Sequence, residues 1–247
     1  MNFKFVLHLF FMALPFFYKE DLVALSTEIV LDESTSRHVV QVLRMQNGEQ
    51  LQLTNGKGIL FTAEITDNNR KKCTVKVIQT NNQQRPTNNI TIAISPVKNN
   101  TRFEWFLEKA TEIGVSEIVP LICTRTEKTA FKYDRMKSIV VSAMLQSQQC
   151  WLPVLQEPVK FNALVPSSAQ QQKYIAHCID DAKRSLADLN NTALSSKIIL
   201  IGPEGDFTAE EIALALQHHF NAVSLGETRL RTETAGIVAA TLLVNLS

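Results

Sequence analysis

The chain has 247 residues, 45% of them hydrophobic, enough for one large core or two smaller ones. Twenty-five basic residues against 24 acidic ones leave a formal net charge of +1, so charge alone does not announce a nucleic-acid binder. Cys73, Cys123, Cys150 and Cys178 form no C-x-x-C pair and the five histidines add no ligand spacing. This speaks against a metal site or a disulfide framework, and free thiols fit a reducing compartment. The small basic excess lies early: residues 1–85 carry ten Lys and Arg against eight Asp and Glu, residues 86–150 eight against six, and residues 151–247 seven against ten.

Residues 3–17 are mostly apolar and superficially resemble a signal peptide. No small-residue cleavage site follows, however, and His8 and Pro15 interrupt the run, which is also short for a membrane span. Pro15-Phe16-Phe17-Tyr18 reads as a first strand. Residues 1–13 read as an extension, with Met12 an alternative start. Short β-type runs follow at 28–31, 49–53, 59–65 and 73–78, with a turn at Asn55-Gly56 and one helix at about 36–45. Several short strands with turn signals predict a small β-barrel over residues 1–80. The polar stretch 81–89 reads as a linker.

From residue 90 the pattern alternates between strands and helices. Strands are expected at 90–94, 117–121, 174–178, 197–201 and 222–225. Helices are expected around Phe103–Ile113 and 135–147, from Ala209, and at the end of the chain. Such alternation predicts a mostly parallel α/β sheet over residues 90–247, with ligands bound beyond the carboxyl ends of its strands.

Two segments carry the chemistry. In the first, a strand runs through Ile201 into Gly202-Pro203-Glu204-Gly205-Asp206, and a helix follows. Thr208 and Glu211 form a capping-box pattern, with Phe207 and Ile212 placed as a hydrophobic staple. The glycines leave backbone open to a ligand, and the acid between them argues against a phosphate cradle. In the second, a strand ends in Leu225-Gly226, and Arg229, Leu230, Arg231 and Glu233 precede an apolar run at 237–244. A helix this apolar must be buried against the sheet or a partner subunit. Arg231 sits where a helix dipole disfavours a cation, which favours a functional role.

Together these segments resemble the knotted SPOUT class of methyltransferases, and more closely the bacterial family that methylates N3 of a uridine in 16S ribosomal RNA. The resemblance also rests on His38-Val39-Val40-Gln41-Val42-Leu43-Arg44, on Glu104-Trp105, and on Lys109-Ala110-Thr111-Glu112-Ile113-Gly114. Arg231-Thr232-Glu233-Thr234-Ala235 completes it, all in the family's order along the chain. The resemblance implies an N-terminal PUA-like β-barrel that helps bind RNA, and a SPOUT α/β domain with a trefoil knot that binds S-adenosylmethionine. It places the cofactor against His177, Ile201, Gly202, Glu204, Gly205, Leu225, Gly226 and Leu230. The family usually has a second Gly where this chain has Asp206 and an Arg-Ile pair at Thr228-Arg229. Its Glu-Gln-Ser/Cys-Gly-Arg run appears here as Leu145-Gln146-Ser147-Gln148-Gln149.

Methylating N3 requires loss of the N3 proton and stabilisation of negative charge on the base, and nothing in it calls for a metal. Arg231 is the first candidate for that stabilisation. Glu204 and Glu233 are candidates for accepting or orienting the proton, and both equally fit helix-start acids. Arg37, Gln41 and Arg44 fall at i, i+4 and i+7 of a helix, with His38 beside them. Arg125, Lys128, Lys132 and Arg135 surround the approach to a later helix, and Lys98 and Arg102 follow the first strand of the α/β domain. Of these, Arg37, His38, Arg44, Lys98 and Arg102 are the RNA-binding candidates. The resemblance further implies 16S ribosomal RNA or the small ribosomal subunit as partner, a homodimer through the C-terminal domain, and a cytoplasmic location away from membranes. Two alternatives stay open: a SPOUT enzyme for another RNA nucleotide, and a non-catalytic ribosomal-RNA-binding protein.

Overall fold

Alternating inward side chains build the first part of the computed structural model, which describes residues 14–179, 183–189 and 195–245. The apolar stretch before residue 14 and the start at Met12 lie outside the described residues. Two compact units part between Gln84 and Arg85. In the first, strands β1 (Phe16–Tyr18), β2 (Glu28–Val30), β3 (Gln50–Thr54), β4 (Ile59–Asp67) and β5 (Thr74–Asn82) form one sheet in the order β1-β3-β4-β5-β2. Only β1 and β3 pair in parallel; the other neighbours are antiparallel. Leu51 and Leu53 on β3 and Phe61, Ala63 and Ile65 on β4 turn to the same core, the period-two burial of a sheet with one covered face.

Two expectations change here. Thr80, Asn81 and Asn82 belong to β5 and pair with Phe61, Leu60 and Ile59 of β4, so the polar stretch begins as strand. Backbone pairing needs no apolar side chain where both faces meet water. The helix expected at 36–45 is α1 (Glu33–Arg37), capped by the Asp32 carboxylate on the Thr35 N–H, and it continues as a π-helical turn, His38–Val42. Arg44 then adopts a left-handed conformation at φ 57°. Arg37, Gln41 and Arg44 therefore do not share one α-helical face, because the turn widens and the helix ends before Arg44.

In the second unit, β6 (Asn89–Ile94), β7 (Glu117–Ile122), β8 (Val154–Leu155), β10 (Gln172–Ala176), β11 (Arg184–Ser185), β12 (Ser196–Ile201) and β13 (Asn221–Ser224) lie in the order β11-β13-β10-β12-β6-β7-β8. β9 (Val159–Lys160) also pairs with β7, and every pairing is parallel. On β12, Ile199 and Ile201 face one core while Ile198 and Leu200 face the other, as a strand covered on both sides requires. α2 (Asn100–Ile113), α3 (Tyr133–Gln146), α5 (Leu186–Leu189) and α7 (Thr232–Asn245) contribute to the first core. α4 (Phe161–Ser167) and α6 (Ala209–Gln217) contribute to the second.

The final helix begins five residues before its apolar run, at Thr232. At Gly236 an added Cβ would lie 2.6 Å from Phe106 Cε2 and 2.7 Å from Ile94 Cδ1. Only a residue without a side chain lets α7 sit this close to α2 and β6. Among the described residues no helix is long and apolar enough to cross a membrane.

Candidate functional site

The site forms where three strand ends stand side by side. β10 lies between β12 and β13 in the sheet, so the segments after Ala176, Ile201 and Ser224 emerge together at the carboxyl edge. This is the position at which parallel sheets bind ligands.

The turn after β12 is anchored from both sides. Thr208 Oγ1 accepts from the Glu211 N–H at 3.2 Å, and the Glu211 carboxylate accepts from the Thr208 N–H at 2.9 Å, which completes the expected capping box. Phe207 and Ile212 pack in one core cluster. The other Glu211 oxygen accepts from the backbone N–H and hydroxyl of Thr124 at 2.8 and 3.1 Å. Arg125 donates to the Gly205 carbonyl at 2.7 Å. Asp206 takes the left-handed conformation, φ 63°, which glycine adopts at the least cost. Its carboxylate compensates by accepting from the N–H groups of Phe207, at 2.9 Å, and Cys178, at 2.8 Å, and so ties the β12 turn to the end of β10.

The second turn is held by Ser224. Its hydroxyl donates to the Gly226 carbonyl at 2.8 Å and accepts from the Gly226 N–H at 3.2 Å. Gly226 stands at φ 145°, open to glycine and costly for other residues. Thr232, the first residue of α7, donates its hydroxyl to the Gly202 carbonyl at 3.1 Å. That bond fastens the two turns to each other.

Between them lie two adjoining hollows of about 380 and 470 Å³, which share Ala176, Cys178, Arg229, Leu230 and Ala235. Ile201, Gly202, Glu204, Arg231 and Glu233 line the first, as does Arg102. His177, Leu225 and Gly226 line the second, and Leu230 lines both. Gly205 is the exception among the expected cofactor residues. It lines neither hollow, because its carbonyl turns to Arg125. A Cβ on Gly202 would stand 3.1 Å from the Phe207 ring, which would have to give by a few tenths of an ångström to admit it.

Charge is divided within the first hollow, with Arg102, Arg229 and Arg231 facing Glu204, Asp206 and Glu233. Glu233 is only 6% exposed. Its Oε1 lies 3.7 Å from Arg102 Nε, and its Oε2 has no hydrogen-bond partner among the described residues. A third hollow of about 420 Å³ shares Arg102, Arg231 and Glu233 with the first and extends to Asn99 and Trp105.

Several of these residues escaped the motif reading. Asp206 reads from sequence only as a departure from glycine, and Arg229 only as a departure from the Arg-Ile pair. Lys183 lines the second hollow and donates to the His177 and Ile179 carbonyls at 2.7 Å, in a stretch with no pattern to mark it.

The basic candidates meet different fates. Lys98 pairs with Glu127 at 3.1 Å, and its backbone N–H lies 3.5 Å from Glu204 Oε2. Arg125 is committed to the carbonyls of Gly205 and Phe207. Arg135 forms a forked pair with Glu104 at 2.6 and 2.9 Å, which holds the Glu104 carboxyl below its ordinary range. These two are thus structural cations. In the first unit, Arg37 pairs with Glu33 at 2.8 Å and His38 meets the Phe17 ring edge-on. Arg37, His38, Gln41 and Arg44 are all exposed.

Known proteins share this architecture. Residues 83–244 match the family described as an RNA methyltransferase domain, and residues 31–78 match an RNA methyltransferase PUA domain. The ribosomal RNA small subunit methyltransferase E of Synechocystis is 30% identical over 217 residues, 85% of this chain and 71% of that protein. A probable rRNA-methyltransferase from Porphyromonas gingivalis superposes with a TM-score of 0.87 at 38% identity, covering 94% of this chain and 98% of that one. A ribosomal RNA small subunit methyltransferase E from Neisseria gonorrhoeae, solved bound to S-adenosyl methionine, superposes at 0.82 with 28% identity and 92% and 95% coverage.

Proposed function

We propose that this chain, which belongs to the ribosomal RNA small subunit methyltransferase E family, is an S-adenosylmethionine-dependent enzyme that methylates N3 of a uridine in 16S ribosomal RNA. The observation that carries this reading is the convergence of the β10, β12 and β13 ends on one divided cleft, fastened by the Thr232–Gly202 hydrogen bond.

The cleft suits the cofactor. Leu225, Leu230 and Ala176 supply an apolar wall for a purine, with the backbone of Gly226 open beside it. The acids of the first hollow suit a ligand with a cationic centre. His177, Ile201, Gly202, Glu204, Leu225, Gly226 and Leu230 would hold it. When bound, the cofactor supplies an electrophilic methyl group on a sulfonium. The protein has to orient uracil, take the N3 proton and stabilise the resulting negative charge. Arg231 is exposed at the mouth of the first hollow and makes no ion pair among the described residues. We assign it the charge stabilisation, and Glu233 or Glu204 the proton.

Within the same reading, residues 1–80 form the RNA-binding PUA-like part and residues 90–247 the methyltransferase domain, whose C-terminal segment is knotted as in the SPOUT class. Arg37, His38, Arg44, Lys98 and Arg102 contact RNA. The enzyme acts in the cytoplasm as a homodimer, its C-terminal domain completed by a second copy.

The test is methyl transfer from labelled S-adenosylmethionine to unmethylated small-subunit ribosomal RNA, followed by mass spectrometry of the nucleosides. N3-methyluridine is expected. A different methylated nucleoside overturns the target assignment. An absence of S-adenosylhomocysteine binding at high micromolar concentration overturns the enzyme reading.

A further inference from the structure

The third hollow is not needed to hold the cofactor, yet it opens onto the same residues. Thr101, Arg102 and Trp105 occupy neighbouring positions on the first turns of α2. Phe103 and Phe106 of that helix are buried in the core, whereas Trp105 stands 44% exposed. A large aromatic left open beside two arginines is the usual means of holding a nucleobase, since every base has a face to stack.

The second observation is Glu233. Its place in the first turn of α7 accounts for a negative charge there. It does not account for a carboxylate oxygen that is buried and without a hydrogen-bond donor among the described residues, because unsatisfied buried acceptors are few and costly. Glu233 lines both the cofactor cleft and the hollow over Trp105. The missing donor therefore belongs to something that enters there.

We propose that this hollow seats the extruded target uracil, its ring stacked on Trp105, its N3–H donated to Glu233 Oε2 and a flanking carbonyl received by Arg102. The assignment rests on the function proposed above and adds the place of the substrate to it. Of the two pyrimidines of unmodified RNA, uracil alone fits this edge. It offers a donor at N3 between two acceptors, opposite a carboxylate flanked by arginines. Cytosine presents a bare N3 lone pair to the same carboxylate and is repelled. Methylation of a base edge requires the base to leave its stack, and an aromatic platform offsets part of that cost.

The chemical step then follows. The N3–H bond breaks as Glu233 takes the proton, and the negative charge spreads onto the two carbonyl oxygens, facing Arg102 and Arg231. The freed N3 electron pair forms the bond to the methyl carbon, and the electrons of the broken carbon–sulfur bond stay on sulfur. Glu233 and Arg102 are thus catalytic residues, and Trp105 holds the substrate.

The test uses the full chain with unmethylated small-subunit ribosomal RNA. Trp105→Ala should raise the RNA KM about tenfold or more, the loss of one base–aromatic stack, with S-adenosylhomocysteine affinity unchanged. Trp105→Phe keeps a stacking face and should stay within about threefold of wild type. Glu233→Gln should bind RNA normally and lose roughly 100-fold or more in kcat, as expected for a missing general base. Added RNA should quench tryptophan emission in the wild type but not the residual Trp151 emission of Trp105→Phe. A Trp105→Ala variant with normal KM, in an enzyme that methylates uridine N3, overturns the seat alone. So does a variant that changes only the oligomeric state, which would make Trp105 a subunit contact. A wild type that transfers no methyl group to uridine N3 overturns the functional reading and the seat with it.

Discussion

Gly236→Ala tests whether the cofactor site is held in place by the packing of α7. The new Cβ would stand 2.6 to 2.9 Å from two ring carbons of Phe106 and 2.7 Å from Ile94 Cδ1, where carbon atoms prefer about 3.5–4.0 Å. Both neighbours are fully buried, so the relief of about 1 Å has to come from the helix or from the core. Overpacking of this kind costs about 1–3 kcal/mol. Replacing a helical glycine by alanine returns about 1 kcal/mol. The net loss is therefore up to about 2 kcal/mol, or a few degrees in the melting temperature of a domain this size, at about 2–4 °C per kcal/mol. Gly236→Val has the same clash with a larger, β-branched side chain and should lose more. The movement reaches the site, because Thr232 lies one turn earlier and holds the Gly202 carbonyl. Losing that bond, at about 0.5–1.5 kcal/mol, should weaken S-adenosylhomocysteine binding roughly two- to tenfold. Thermal melts and titration calorimetry measure both effects. A Gly236→Ala protein that melts higher than wild type and binds the cofactor product equally well would refute the reasoning, since it would mean that Phe106 and Ile94 yield freely.

Three further outcomes follow from single interactions. Asp206→Ala leaves a left-handed residue without its bonds to Cys178 and Phe207. It should cost about 1–2 kcal/mol, and Asp206→Gly, which removes the strain, should cost less; urea unfolding ranks them, and equal losses would sink the argument. Arg231→Ala should abolish methyl transfer while S-adenosylhomocysteine binding stays within a few-fold, about 1 kcal/mol; an active variant removes Arg231 from the chemistry. In the first unit, burial acts to raise the Asp32 carboxyl, but hydrogen bonds from Ser34 and Thr35 outweigh it and hold it at about 2, below its ordinary 3.8. A depressed pKa stabilises the fold above pH 3.8, and the contribution is lost as pH falls toward 2. Asp32→Ala should accordingly be about 1 kcal/mol less stable than wild type near neutrality, with the gap closing in acid; a gap that widens below pH 4 contradicts this.

Most elements of the second unit could be read from residues because burial on both faces leaves a plain signature. Ile198 to Ile201 form an unbroken apolar run, and the Thr208–Glu211 box marks the helix that follows. α4 gives no period to read: it has only seven residues, and Pro166 in its last turn removes a donor to the preceding turn. The two-residue strands β8, β9 and β11 are too short for any period to appear. The spacing of Arg37, Gln41 and Arg44 points to a helical face that the π-helical turn does not continue to Arg44.

The site was legible as residue types and illegible as partners. Gly205 and Asp206 are adjacent, and the motif pointed to the glycine, since open backbone is what a ligand turn needs. The fold uses them the other way. The glycine carbonyl is taken by Arg125, and the aspartate, in the conformation usually left to glycine, joins the turn to the next strand. No spacing rule anticipates that, because Cys178 becomes a neighbour only through the strand order β13-β10-β12. Glu233 makes the same point more sharply. From sequence it is an acid at a helix start, and a helix dipole explains it. Its burial against Arg102, with one oxygen lacking a donor among the described residues, becomes visible only in the fold.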